Sequence, residues 1–145
     1  MLKKINVLKL RQTAILPSKQ SEFATGYDLH ACLDNASMTI GVTPKLVPTG
    51  IALSIPKGFD VQIRPRSGLT AKGLISGYGT IDSDYRGELF VTLYCIPSLN
   101  QYEIQNNERI AQLVISQSVT FKWNEVDSLD DTSRGRQGHG STGKK

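Results

Sequence analysis

The sequence predicts an all-β fold, a sandwich or jelly roll carrying one short helix, and three observations lead there. Seven short strand-like runs recur along the chain, each closed by turn residues. Thirteen glycines and six prolines in 145 residues favour turns over long helices. The one helix candidate is two turns at most. In order, the runs are INVLKLR (5–11), MTIGV (38–42), KLVPTGIALSIP (45–56), GFDVQIRP (58–65), ELFVTLYCIP (88–97), ERIAQLVISQ (108–117) and VTFKWNEV (119–126). Pro44, Pro48, Pro56, Pro65 and Pro97 are expected at strand ends or edges, because proline brings no amide hydrogen to a ladder. The helix candidate is SGLTAKGL after Pro65, with Ser67 placed to cap it and Gly73 to terminate it. In residues 88–95, Leu89, Val91 and Leu93 share one parity and Phe90, Thr92 and Tyr94 the other, which predicts a strand covered on both faces.

Length and composition suit one globular domain over residues 1–127. From Ser128 the texture changes, since SLDDTSRGRQGHGSTGKK has no aliphatic residue beyond Leu129; residues 128–145 are read as a glycine-rich arm that cannot form core. The net charge of +4 includes no basic block longer than Lys3-Lys4 or Lys144-Lys145, and no aromatic residues interleave with it. Direct nucleic-acid binding is therefore not expected. Cys32 and Cys95 stand far apart with no CxxC pair, the pattern of free buried thiols in a reducing compartment. Lys9 and Arg11 interrupt the N-terminal apolar run before it can serve as a secretion signal. Nothing approaches the roughly 20 apolar residues of a membrane span, so no membrane association is expected. The expected location is the cytoplasm, or the host cytoplasm or nucleus for a viral source.

Five segments carry candidate chemistry, each with an alternative. GTIDSDYRGE (79–88) crowds Asp82, Asp84 and Glu88 with Tyr85 and Arg86 at the mouth of a strand; it is either a site or a solvated turn. Strict alternation puts Asp82 and Tyr85 on opposite faces, so a pocket using both requires a turn or bulge near Ser83 and Asp84. In RPRSGLTAK (64–72), the amides at Ser67 and Gly68 can hold an anion while Arg66 forks onto its oxygens, or the segment is a capped surface helix. In ATGYDLHA (24–31), Asp28 needs a partner: backbone amides, a basic side chain, or a hydrated magnesium ion. Gln112, in ERIAQLVI, offers an amide to a ligand or to a neighbouring strand. The arm, with Arg134, Arg136, His139, Ser141 and Thr142, is either a disordered terminus or a segment that orders over a phosphate ligand.

Taken in order, ATGYDLHA, RPRSGL, GTIDSDYRGELFV, RIAQLV and RGRQGHGSTG resemble the five motifs of the trimeric dUTPase family, across residues 24–143. The resemblance implies a distorted jelly roll assembled as a homotrimer, with active sites between subunits and the arm of one chain closing a neighbour's pocket. It implies magnesium-dependent hydrolysis of dUTP to dUMP and pyrophosphate by water attack on the α-phosphorus. That reaction limits uracil in DNA and supplies dUMP for dTMP synthesis. By the same resemblance, Asp82 orients and deprotonates the water, and Asp28 holds a water on the magnesium, itself bound mainly by substrate phosphates. Arg66, Ser67 and Gly68 match the phosphate cradle, Gln112 a phosphate contact, and Arg134 the arginine that reaches the γ-phosphate. Tyr85 matches the ring beneath the deoxyribose. The hairpin from Ser76 to Asp82, with Thr80 and Ile81, matches the uracil reader, and Phe90 lies where the returning strand closes that pocket. His139, Ser141 and Thr142 fall in the closing arm.

Three positions depart from the family pattern. Asn107 replaces a glycine, and asparagine tolerates the left-handed backbone that such a turn requires. Ser76 replaces an asparagine, which leaves base recognition to the main chain. His139 replaces a stacking phenylalanine within Gln137–Gly143. Two other functions fit parts of the pattern: a dCTP deaminase, which shares the fold but uses a catalytic glutamate in a different third segment, and a nucleotide sensor slowed by its altered arm. An imidazole covers less of a base than a phenyl ring, and aromatic stacking contributes about 0.5–1.5 kcal/mol beyond burial. His139→Phe is thus expected to tighten dUTP binding or raise turnover in steady-state kinetics, and a fall in both contradicts the stacking role.

Overall fold

The regular elements begin with the strands β1 (Asn6–Lys9), β2 (Tyr27–His30), β3 (Ser37–Ile40), β4 (Lys45–Ser54) and β5 (Phe59–Arg64). The helix α1 (Ser67–Lys72) follows, then β6 (Leu74–Ser76), β7 (Gly79–Ile81), β8 (Glu88–Cys95), β9 (Tyr102–Gln105) and β10 (Arg109–Gln117). These come from a computed structural model that describes residues 3–138. One antiparallel sheet has the order β1-β4-β8-β6, a second β2-β10-β5-β7, and β3 pairs with β9 alone. Both four-stranded sheets contribute to one apolar core, with Val47, Ile51, Val91 and Leu93 from the first and Leu29, Val61, Ile110 and Ala111 from the second, all essentially inaccessible. The result is a sandwich of jelly-roll type, as the strand-rich sequence predicts.

Most runs fold as expected, and the exceptions have physical causes. VTFKWNEV forms no strand: Val119, Phe121 and Trp123 stand 71%, 77% and 94% exposed, and none of the described strands pairs with it. β8 is covered on one face only. Leu89, Val91, Leu93 and Cys95 are buried, while Phe90 is exposed and Thr92 and Tyr94 are half-buried, since the second sheet packs against one side. The strands β2, β6, β7 and β9 lie outside the seven runs. They are three or four residues long and too short to show a period.

Local chemistry accounts for the rest. Ser67 does not cap α1: Arg66 takes that position with extended backbone (φ −95°, ψ 127°), so Ser67 is already helical and no side chain caps the first amides. Gly73 terminates the helix as expected, at φ 94°, and Asn107 adopts the left-handed turn at φ 66°. Cys32 and Cys95 are free and buried. Pro48 lies inside β4 rather than at its end. Its carbonyl accepts from Cys32 N–H at 2.8 Å, so its nitrogen faces away from β8, and β1 pairs only with residues 51–54; no ladder bond is lost.

The ladder between β4 and β8 breaks between Pro48 and Ala52. Gly50, at φ 68°, sits in this irregularity, and a Cβ there would lie 2.8 Å from Cys32 Sγ and 2.9 Å from Ala14 Cβ. Gly50→Ala combines left-handed strain with overpacking and should destabilise the fold by about 2–4 kcal/mol, read as a lower urea midpoint with an unchanged slope.

Candidate functional site

Two clefts gather nearly all the described candidate residues. The first has a volume of about 370 Å³ and is lined by Gln20, Ala24, Thr25, Gly26, Asp28, Arg66, Ser67, Gly68 and Gln112. Asp28, on β2, is only 8% exposed. Its carboxylate meets Arg66 Nε at 3.3 Å and Arg109 Nη1 at 3.6 Å. Arg66 Nη1 also donates to the Arg109 carbonyl at 2.8 Å, which closes a triangle between the pre-helix loop and β10. Asp28 therefore takes a basic partner, the commoner solution for a buried carboxylate. A guanidinium carries five N–H donors, and these contacts leave part of Arg66 for a ligand.

Asp28 faces Gln112 across the β2–β10 ladder. Gln112 Nε2 donates to the Pro65 carbonyl at 2.9 Å, so this amide holds the RPRSG loop against the sheet. Its bond is thus to a neighbouring segment, while the side chain still lines the cleft. The first amides of α1 have no intrahelical acceptor and no side-chain cap, which leaves Ser67 and Gly68 as donors at the cleft. His30, two residues from Asp28 on the same face of β2, has a buried Nδ1 without a hydrogen-bond partner. Burial holds its imidazole below the ordinary 6.5; Asp28 opposes that shift, and Arg109 and Arg66 add to it.

The described residues hold no group of three or more His, Cys, Asp or Glu converging on a metal position. Asp28 is the one carboxylate lining this cleft, and it is already paired with arginines. Such a donor set fits a magnesium ion that keeps its waters and takes its other ligands from a phosphate, with Asp28 contributing through water.

The second cleft, of about 250 Å³, is lined by Leu46, Thr80, Ile81, Asp82, Tyr85, Glu88, Leu89 and Phe90. It contains Asp82 and Tyr85 together because the chain turns between them: Tyr85 N–H donates to the Asp82 carbonyl at 3.0 Å. That is the turn the alternation demanded. Arg86 Nη1 donates to the carbonyls of Ser83 at 2.7 Å and Tyr85 at 2.9 Å, which stiffens the loop. The Tyr85 hydroxyl donates to the Glu88 carbonyl at 2.9 Å. Gly87 makes this possible, since a Cβ there would lie 2.4 Å from that hydroxyl oxygen.

Other expected residues fall elsewhere. Residues 76–82 do not form a hairpin: β6 pairs with β8 in one sheet and β7 with β5 in the other, so Gly77 and Tyr78 carry the chain between sheets. Ser76 is 3% exposed, and its hydroxyl donates to the Gly77 carbonyl at 3.2 Å; it lines neither cleft. Arg134 lies in the exposed arm, where its Nε donates to the Gln137 carbonyl at 3.0 Å, and it lines neither cleft. His139, Ser141 and Thr142 lie outside the described residues. Two residues of the site carry no role in the sequence reading: Arg109, whose signal was its place three residues before Gln112, and Glu88, the last carboxylate of GTIDSDYRGE. The two clefts share no lining residue.

Comparison with known proteins gives the same outline. A dUTPase family model matches residues 12–143. The chain is 46% identical to the deoxyuridine 5'-triphosphate nucleotidohydrolase of Nautilia profundicola, over 97% of this chain and 99% of that one. It is 45% identical to the corresponding protein of Leptospira interrogans, with the same coverage. It superimposes on the Staphylococcus bacteriophage 80alpha dUTPase solved with dUPNHPP at a TM-score of 0.85 and 26% identity, over 98% of this chain and 99% of that one. Fold and likeness together define the class, a jelly-roll nucleotide hydrolase. The chain belongs to the dUTPase family, and it is an enzyme of the dUTP diphosphatase kind.

Gly26 supplies a direct test of the first cleft. A Cβ at that position would lie 2.0 Å from Gln112 Oε1. Gly26→Ala should push the carboxamide off Pro65, lower stability by about 1 kcal/mol, and weaken binding of a non-hydrolysable dUTP analogue by roughly tenfold or more in calorimetry.

Proposed function

We propose that the chain hydrolyses dUTP to dUMP and pyrophosphate at sites completed between three copies of itself. The observation that carries this reading is the separation of the clefts. One offers arginine, free amides and a carboxamide, the chemistry of phosphate binding; the other offers an aromatic ring and an accessible carboxylate. Neither is a whole nucleotide site, and a neighbour's copy of the missing half would complete each. The open face of β8 and the unpartnered Val119–Val126 segment support contact between subunits. Residues 1–127 then form the catalytic domain. The arm, residues 128–145, closes a neighbour's pocket, with Arg134 on the γ-phosphate, His139 over the base, and Ser141 and Thr142 offering hydroxyls to the phosphates.

In this reading Arg66, the amides at Ser67 and Gly68, and Gln112 hold the triphosphate. Asp82, exposed to solvent at the end of β7, orients a water toward the α-phosphorus and accepts its proton. Pyrophosphate departs with the electrons of the broken P–O bond. Magnesium, when bound, neutralises charge on the phosphate oxygens, with Asp28 on one of its waters. No covalent enzyme intermediate is required, since positioning and electrostatics supply most of what phosphoryl transfer needs. The Tyr85 ring lies against C2′ of the sugar, where a 2′-hydroxyl would find neither room nor partner. Main-chain groups from Gly77 to Ile81, with Phe90 beside them, read uracil. The product supplies dUMP for dTMP synthesis and keeps uracil out of DNA, a role suited to the cytoplasm.

A pyrophosphate-release assay with and without magnesium, across dUTP, dTTP, dCTP and UTP, should show turnover of dUTP alone. In H₂¹⁸O the label should appear in dUMP and not in pyrophosphate. Asp82→Asn should lower kcat by about 10²–10⁴ while the analogue still binds; label in pyrophosphate, or a variant that keeps its rate, would sink the mechanism.

A further inference from the structure

The irregular stretch of β4 leaves backbone groups that β8 cannot satisfy by ordinary pairing, and two side chains take over. Thr49 Oγ1 donates to the Leu89 carbonyl at 2.7 Å, and Thr49 is 1% exposed. Gly50 N–H donates to Glu88 Oε1 at 2.8 Å. The Glu88 side chain is 17% exposed, and Arg11 Nη2 lies 4.0 Å from the same oxygen. Arg11 is anchored in turn, with Nη1 donating to the Cys32 carbonyl at 2.6 Å. Glu88 is therefore joined at its carboxylate to β4 and the N-terminal segment. Its own carbonyl receives the Tyr85 hydroxyl at 2.9 Å.

We infer that Glu88 is a specificity-determining positioning residue. Its carboxylate, clamped to the Gly50 amide, fixes the start of β8, and the Glu88 carbonyl fixes how deep the Tyr85 ring stands in the cleft. The inference rests on the reading of Tyr85 as the ring beneath the deoxyribose. A ring excludes a 2′-hydroxyl by steric contact only if it cannot retreat, because a small displacement opens the space. Tyr85 is 43% exposed, and the hydrogen bond at the far end of its ring is the one its side chain makes among the described residues. Gly87 and the Asp82–Tyr85 turn shape the loop; the Glu88 carbonyl supplies the stop.

Substrate discrimination tests this better than activity does. The ratio of kcat/KM for dUTP to kcat/KM for UTP is measured for the wild type, Glu88→Ala, Glu88→Gln, Tyr85→Phe and Tyr85→Ala. Glu88→Ala should lower the ratio by on the order of tenfold, mainly through faster use of UTP. Glu88→Gln keeps an oxygen that can accept from Gly50 and should restore most of it. Tyr85→Phe, which retains the ring and loses only the bond to Glu88, should reproduce the Glu88→Ala loss and covers the case in which that variant folds poorly. A merely structural role would lower kcat/KM for both substrates together and leave the ratio unmoved, which overturns the inference. If Tyr85→Ala collapses discrimination while Glu88→Ala and Tyr85→Phe preserve it, the positioning role is wrong and the Tyr85 reading survives. If Tyr85→Ala also preserves it, both fail.

Discussion

A carboxylate buried in a strand requires compensating charge, and the neutralisation of Asp28 organises one end of this molecule. Removing an ion from water costs several kcal/mol after relaxation, so a group 8% exposed draws its partners in. Arg66 arrives from the loop before the helix and Arg109 from the start of β10, and the bond from Arg66 to the Arg109 carbonyl joins them. Three segments distant in sequence are thereby brought together around one oxygen pair. Two guanidiniums against one carboxylate leave positive charge at the cleft, beside helix amides that have no acceptor of their own. An anion is the natural ligand of such a place.

The second cleft depends on different physics. There the chain must turn between Asp82 and Tyr85, cross from one sheet to the other, and enter β8 beside a stretch of β4 that does not pair. Regular ladder bonds are replaced by the Thr49 hydroxyl and the Glu88 carboxylate. The irregular strand thus meets the start of β8, whose first residue, Glu88, also accepts the Tyr85 hydroxyl at its carbonyl. One cleft thus stands on an ion pair and the other beside a backbone irregularity, in the same jelly roll.

Much of this was readable in advance from particular residues. By parity, a cleft using both Asp82 and Tyr85 required a turn or bulge near Ser83 and Asp84, and a turn is present. Asn107 and Gly73 were placed where a left-handed backbone was needed, and both adopt it. Asp28 demanded a partner, and backbone amides or a basic side chain were the commoner expectation, but only the fold shows that Arg109 lies within 3.6 Å. The misses share a cause. Ser67 looked like a cap, yet the helix begins one residue earlier, and a serine already in the helix cannot cap its first turn. VTFKWNEV alternates like a strand, but alternation makes a strand only where a partner pairs with it, and none of the described strands does. Phe90, Thr92 and Tyr94 looked like a second buried face, and only one sheet covers β8.

Periodicity, turn chemistry and the order of five short motifs were enough to establish an all-β domain and its family, because these are properties of neighbours along the chain. The partner of Asp28, the separation of the two clefts and the clamp from Glu88 to Gly50 belong to the folded molecule. They depend on strand register and on the point where β4 departs from it, and both are settled by how two sheets share one core rather than by any local stretch of residues.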